Sequence, residues 1–238
     1  MRIFRFKELD STNIFLKNLD DKKDYDLVIA ETQTLGRGRR GNKWSSEKGG
    51  AYFSFLLKED KNIAIEEYLK LPLVVGYSLL KSFEKLEPEL DFKFKWTNDI
   101  YINDKKISGI LVEKIENYFV IGIGINVKNE IKGEAENTAI SISNITKKDY
   151  NIEEIIISIL NDFKINLNLF FSGEWDKILE ELNDNNYLYN RKINITLGNF
   201  MNKMGVAKNI HKSGQLLVVI DGKEELFNVG EIHIEKNN

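Results

Sequence analysis

The 238-residue chain contains no cysteine. That excludes disulfides, thiolate nucleophiles and cysteine metal sites, and it fits a reducing compartment. No hydrophobic run comes near the ~20 residues that a membrane-spanning helix needs. The N-terminus, MRIFRFKELDST, shows neither an apolar h-region nor a small-residue cleavage site. No secretory signal is read from it, and a cytoplasmic location with no membrane partner is expected. An excess of positive charge is missing as well: 34 Lys and Arg stand against 37 Asp and Glu, a net charge of −3. Broad affinity for nucleic acid, which rests on neutralising many phosphates, is therefore not expected.

What is present is the composition of a soluble globular protein, 42% hydrophobic and 30% charged. The length suits one large domain and one small one. Residues 2–9 alternate like a strand, and Ser11-Thr12 can cap a short helix reaching about Leu19. YDLVIAET (25–32) reads as a buried strand, 33–50 as a long loop and 51–58 as a strand again. Residues 66–86 carry apolar side chains at helical spacing, with Pro72 tolerable in the first turn or two. Residues 92–96 alternate, and a hairpin follows with arms at 100–102 and 107–113 and Asn103-Asp104 at its turn.

YFVIGIGINV (118–127) is β-branched and apolar, with Gly122 and Gly124 marking a close backbone approach. Residues 128–150 read as loop, and 152–171 and 174–182 as helices. After Asn183-Asp184-Asn185-Asn186 only short strand-like runs remain, at 192–197, 204–210, 216–220, 226–229 and 232–234. The expected architecture is α+β: a mixed or antiparallel sheet with helices over residues 1–188, then a small β-barrel over 189–238.

GRGRRG (36–41) matches the dinucleotide pattern G-x-G-x-x-G, but that fingerprint needs a helix opening inside the glycines to hold the pyrophosphate. Asn42 to Gly50 cannot supply one before the next strand. Three arginines among glycines have another use: the backbone bends close to a ligand and the guanidinium forks bind phosphate or carboxylate. Trp44 beside them suits stacking on a flat ligand. Such a loop, self-repelling and poor in apolar surface, is expected to be mobile until an anion orders it. Asp99 and Lys106 lie on opposite arms of the hairpin, either as a cross-strand ion pair or as two groups reaching one pocket. The residues alone point to an α+β protein binding a flat anionic or nucleotide ligand.

Taken together, Asp10-Ser11-Thr12-Asn13, Glu31-Thr32-Gln33-Thr34, GRGRRG with Trp44, KWTNDI from Lys95, Lys106 with SGILVE from Ser108, and GIGINV from Gly122 resemble the biotin–protein ligases, in order and spacing. Asp221-Gly222 and FNVGEI (227–232) resemble that family's SH3-like barrel. The resemblance covers essentially the whole chain. It implies an enzyme that forms biotinyl-5′-AMP from biotin and ATP, with Mg²⁺, and passes biotin to a lysine of a biotin carboxyl carrier protein.

By that resemblance Ser11, Thr12, Asn13 and Gln33 would contact biotin, and Trp44 would pack against the adenylate. Arg37, Gly38, Arg39 and Lys106 would surround phosphate and carboxylate, with Gly36, Arg40 and Gly109 in the same substrate-binding set. Asn126 would contact the nucleotide region. Lys106, Arg39 and Asp99 would be catalytic, Asp99 acting on the acceptor lysine or on Mg²⁺, and no protein metal site is implied.

Thr97 stands where the family usually has proline, Glu47 replaces another proline, and Glu235 a basic residue of some relatives. An N-terminal DNA-binding domain is not expected, since the chain starts in the first catalytic strand; a homodimer paired through an open sheet edge is compatible. Octanoyltransferases of the same fold use a cysteine, and lipoate ligases lack the arginine-rich loop. A non-catalytic binder would be expected to lose Lys106 or the arginines.

Overall fold

The structure, a computed structural model, describes residues 1–197, 201–228 and 232–236. β1 (Ile3–Leu9), α1 (Thr12–Lys17) and β2 (Leu27–Gln33) form a parallel β–α–β unit. β3 (Ala51–Lys58) pairs antiparallel with β2, and α2 (Leu71–Leu86) follows it. β4 (Lys93–Lys95), β5 (Asp99–Ile102), β6 (Lys105–Ile115) and β7 (Tyr118–Ile125) complete a seven-stranded sheet of order β1-β2-β3-β7-β6-β5-β4. The mixed sheet with helices is the expected α+β arrangement.

β3 shows why this sheet is a core and not a surface. Seven of its eight residues, AYFSFLLK, are buried, because both faces are covered. On one face Leu16 of α1 packs with Val28, Leu56 and Val120, helped by Phe4, Phe6 and Phe15. On the other, α2 and α4 (Ile152–Phe171) bury Phe53, Phe55, Phe83 and Phe163. Asn151 caps α4 through its side-chain oxygen, which accepts from the backbone N–H of Glu153 and Glu154.

α3 (Ile142–Thr146) lies in the stretch read as loop; five residues are too few to show a period. The helix expected over 66–86 is divided instead: a 3-10 segment, Ile65–Lys70, precedes α2, and Pro72 starts the α-helix rather than sitting inside it. Asn103 and Asp104 both have positive φ, 49° and 60°, as a two-residue hairpin turn requires.

After α5 (Trp175–Asp184) come β8 (Lys192–Leu197), β9 (Met201–Ile210), β10 (Leu216–Ile220), β11 (Lys223–Phe227) and β12 (Ile232–Lys236). They form a small antiparallel sheet of order β11-β10-β9-β8-β12, as an SH3-like module would. The strand expected at 226–229 is instead Lys223–Phe227; Val229, Gly230 and Glu231 of the FNVGEI motif, and the side chain of Glu235, lie outside the described residues. Ile193, Ala207 and Leu216 of this sheet join the same buried cluster as Phe94 and Trp96.

Two indoles, one just after β4 and one opening α5, fasten the 211–215 turn. Trp96 Nε1 donates to Gly214 O at 2.9 Å and Trp175 Nε1 to Lys212 O at 2.7 Å. The Trp96 bond is fully buried, so Trp96→Phe strands a carbonyl and is expected to cost about 1–3 kcal/mol, read by urea unfolding. A second prediction concerns Asp26, whose side chain has no solvent exposure. Burial alone would push its carboxyl up, but the Arg2 guanidinium and the backbone N–H groups of Arg2 and Lys23 outweigh that and hold it below the usual range. Its contribution to stability is therefore present at neutral pH and is lost as acid takes the protein down through that lowered value. Asp26→Asn should flatten the acid limb of the stability–pH curve and lower stability at pH 7.

Candidate active site

Four segments converge on the face of the sheet that carries α1: the N-terminal end of α1, the end of β2, the loop 36–44 and the β5–β6 hairpin. They enclose a cavity of about 300 Å³ lined by Ser11, Thr12, Asn13, Gln33, Arg37 to Arg40, Trp44, Asp99, Lys106 and Gly109 among others. Its floor is the paired strands β6 and β7, which meet in register at Gly109↔Gly124 and Leu111↔Gly122. A Cβ at Gly124 would collide with the Trp44 indole, one at Gly109 would lie 2.7 Å from it, and one at Gly122 would collide with the Asn13 amide. The missing side chains are what let the ring and the amide lie against the sheet.

The start of α1 is polar and buried, with Ser11, Thr12 and Asn13 all under 5% exposed. Ser11 stands at the expected cap position, but its side chain makes no capping bond; its carbonyl accepts from Phe15 N at 3.0 Å, and Ser11 lines the cavity instead. Gln33 ties this end to the loop. Its Oε1 accepts from Thr12 N (2.8 Å), and its Nε2 donates to Ser46 Oγ (2.8 Å).

The arginine segment contains no helix that could serve a dinucleotide, and it is folded rather than shapeless. Arg37 and Lys43 form an antiparallel bridge, Gly38 N donates to Asn42 O at 2.7 Å, and Arg39–Gly41 makes one 3-10 turn. Arg39 reaches across the cavity, its Nη1 donating to Thr97 Oγ1 and Asn98 Oδ1, both at 2.7 Å. Thr97, read from the sequence as a departure from the family pattern, thus offers a hydroxyl oxygen to Arg39. Burial and the like charge of Arg40 press the Arg39 pKa down, while Asp99 acts in the opposite sense.

Asp99 and Lys106 do form the ion pair that the hairpin allowed, at 2.7 Å, and both also line the cavity. Asn98 Nδ2 donates to the same Asp99 oxygen at 3.0 Å. Lys106 Nζ stands 5.1 Å from the centre of the Trp44 ring. Among the described residues Asp99 is the one carboxylate on this cavity's wall, against Arg37, Arg39, Arg40, Lys43 and Lys106, so the space is built for an anion. Among the described residues no group of three or more His, Cys, Asp or Glu could hold a metal ion.

Lys43, Trp44 and Lys106 also border a second cavity of about 220 Å³, which reaches Tyr101, Asn126 and Asn129. The indole therefore stands between two spaces, and its buried Nε1 has no hydrogen-bond partner among the described residues.

Residues 5–128 match the Biotin/lipoate A/B protein ligase family. The chain belongs to this family. Among its relatives, the Bifunctional ligase/repressor BirA of Escherichia coli is 30% identical over 95% of this chain and 72% of its own length. The Biotin--[acetyl-CoA-carboxylase] ligase of Mycobacterium tuberculosis is 22% identical over 87% of this chain and 77% of its own. The solved biotin protein ligase of Aquifex aeolicus, in complex with biotin and ATP, superposes with a TM-score of 0.89 at 30% identity, covering 99% of each chain.

Of the residues singled out from the sequence, Asn126 lines the second cavity and not the first. Gly36 lines neither, because its backbone packs under the loop, where a Cβ would collide with Trp44 O. Thr97, Asn98, Ser46 and Ser54 were not singled out as site residues; single polar residues in strands and turns carry no spacing signal. Gly124→Ala should drive a methyl group into the Trp44 ring, an overpacking cost of about 1–3 kcal/mol. The ring should shift, changing the near-ultraviolet circular dichroism, and ligand affinity should fall roughly tenfold or more.

Proposed function

We propose that this chain is a cytoplasmic biotin–protein ligase that makes biotinyl-5′-AMP from biotin and ATP and transfers the biotinyl group to a lysine of a biotin carboxyl carrier protein. The observation that carries the reading is the convergence of loop and hairpin cations on a space that opens to the polar end of α1 on one side and past Trp44 on the other. The family also contains lipoate ligases. A ureido ring offers two N–H donors and a carbonyl acceptor, which suits the hydroxyl and amide groups of Thr12, Asn13 and Gln33. A dithiolane ring offers them nothing comparable.

In this reading the biotin ring lies against α1, its carboxylate among the cations, and the nucleotide in the second cavity beside Asn126. The biotin carboxylate attacks the α-phosphorus of ATP, the bond to the β-phosphate oxygen breaks, and pyrophosphate leaves. Two anions must approach, so positioning and charge neutralisation dominate, with Arg37, Arg39 and Lys106 supplying both. Where Mg²⁺ accompanies ATP it would supply charge neutralisation on the phosphates, and Asp99 would be the carboxylate beside it. The carrier lysine, as the neutral amine, then attacks the acyl carbon and AMP departs. The arginine loop, closing over the mixed anhydride, keeps water from it.

Only the ligase half of the Escherichia coli relative's activity is proposed here, because a net charge of −3 gives no general attraction to DNA. A homodimer is compatible with β1 as an edge strand.

The test is pyrophosphate release with ATP, Mg²⁺ and either biotin or lipoate: biotin should support it and lipoate should not. Lys106→Ala should slow release on the order of 10²–10³-fold while the protein stays folded. Near-normal release by that variant would contradict the role given to Lys106.

A further inference from the structure

We propose that Glu113 is a positioning residue, whose carboxylate fixes which atom of the Asn13 amide faces the substrate ring. The inference rests on the reading above in placing that ring against α1. Asn13 is 3% exposed and lies across Gly122. Its Nδ2 is 2.8 Å from Glu113 Oε2, and its Oδ1 is 2.5 Å from Ser54 Oγ. An ionised carboxylate can only accept, so the amide nitrogen must face Glu113. The amide oxygen can only accept too, and it faces the Ser54 hydroxyl, which also stands 2.7 Å from Thr12 Oγ1. The second N–H of Asn13 is thereby left for the cavity, as a donor for a carbonyl such as that of the ureido ring. Turning the amide over would set its oxygen against the carboxylate.

The rest of Glu113's surroundings keeps it charged and in place. Lys17, four residues after Asn13 on the same face of α1, binds Glu113 Oε1 at 2.6 Å, and Arg37 stands 4.0 Å from that oxygen. Burial pushes the carboxyl up, but the hydrogen bonds from Asn13 and Lys17 and the charges of Lys17 and Arg37 bring it below its usual value. Glu113 lines neither cavity: its effect on the ring passes through Asn13, whereas its 4.0 Å approach to Arg37 acts on the carboxylate and phosphate end and would show in KM for ATP and kcat.

The experiment is calorimetric binding of biotin alone to wild type, Glu113→Ala, Glu113→Gln, Asn13→Ala and the Asn13→Ala/Glu113→Ala double variant, with steady-state kinetics and melting temperatures alongside. Glu113→Ala should weaken biotin by tenfold to a hundredfold, roughly the worth of a charge-assisted hydrogen bond, and leave KM for ATP and kcat at saturating biotin within about threefold. Glu113→Gln keeps an acceptor for Asn13 without the charge and should fall between wild type and alanine, which also covers the case of an alanine variant that fails to fold. The double variant should bind biotin no more weakly than Asn13→Ala. Additive losses in the double variant, or equal losses in biotin affinity, KM for ATP and kcat, would overturn the assignment. Wild-type binding with Glu113→Ala equally tight would overturn it alone, whereas a wild type that ignores biotin would overturn the proposed function as well.

Discussion

A side chain can lie flat against a β-sheet only where the strand beneath it offers no Cβ. β6 and β7 meet that condition at Gly109, Gly122 and Gly124, and the candidate site is assembled on the bare patch they leave. Trp44 reaches the sheet there, and so does the Asn13 amide. The intervening residues Ile121, Ile123 and Ile125 are buried. One run of eight residues thus provides a core and a binding floor by period-two alternation. Neither role could shift by one position without destroying the other.

On that floor the electrostatics are set by scarcity of negative charge. Asp99 sits between Lys106 and Asn98, and through Asn98 it is joined to Arg39. Glu113, at the far end, holds Lys17 and Asn13. Each carboxylate orients a cation without neutralising the group. What remains is a field that favours incoming anions while Arg39 and Lys106 already have a direction, so little reorganisation of these two is left for the reaction itself.

Much of this could be read in the chain because the relevant signals are local. α4 appears where its apolar residues placed it, and the hairpin turns at Asn103-Asp104, two residue types that tolerate positive φ. The fold-level surprises are non-local or short: the parallel pairing of β1 with β2, the five residues of α3, and the division of 65–86 at Pro72. At the site, glycine and arginine were legible because few environments require them in such density. Ser54 and Thr97 were not, because a lone hydroxyl in a strand or a turn has many ordinary uses and only its neighbours say which applies. Gly36 shows the converse: a motif glycine can serve the loop's own packing while its neighbours face the cavity.

The indole of Trp96 ends on Gly214, in a turn more than a hundred residues away, while its backbone leads directly into Thr97 and Asn98, the two acceptors of Arg39. The small C-terminal sheet is thus a fixed reference against which the grip on the arginine loop is calibrated. Trimming that sheet would leave every group of the cavity in the chain and yet detune it, because the tryptophan that sets the register of Thr97 and Asn98 would have lost its stop.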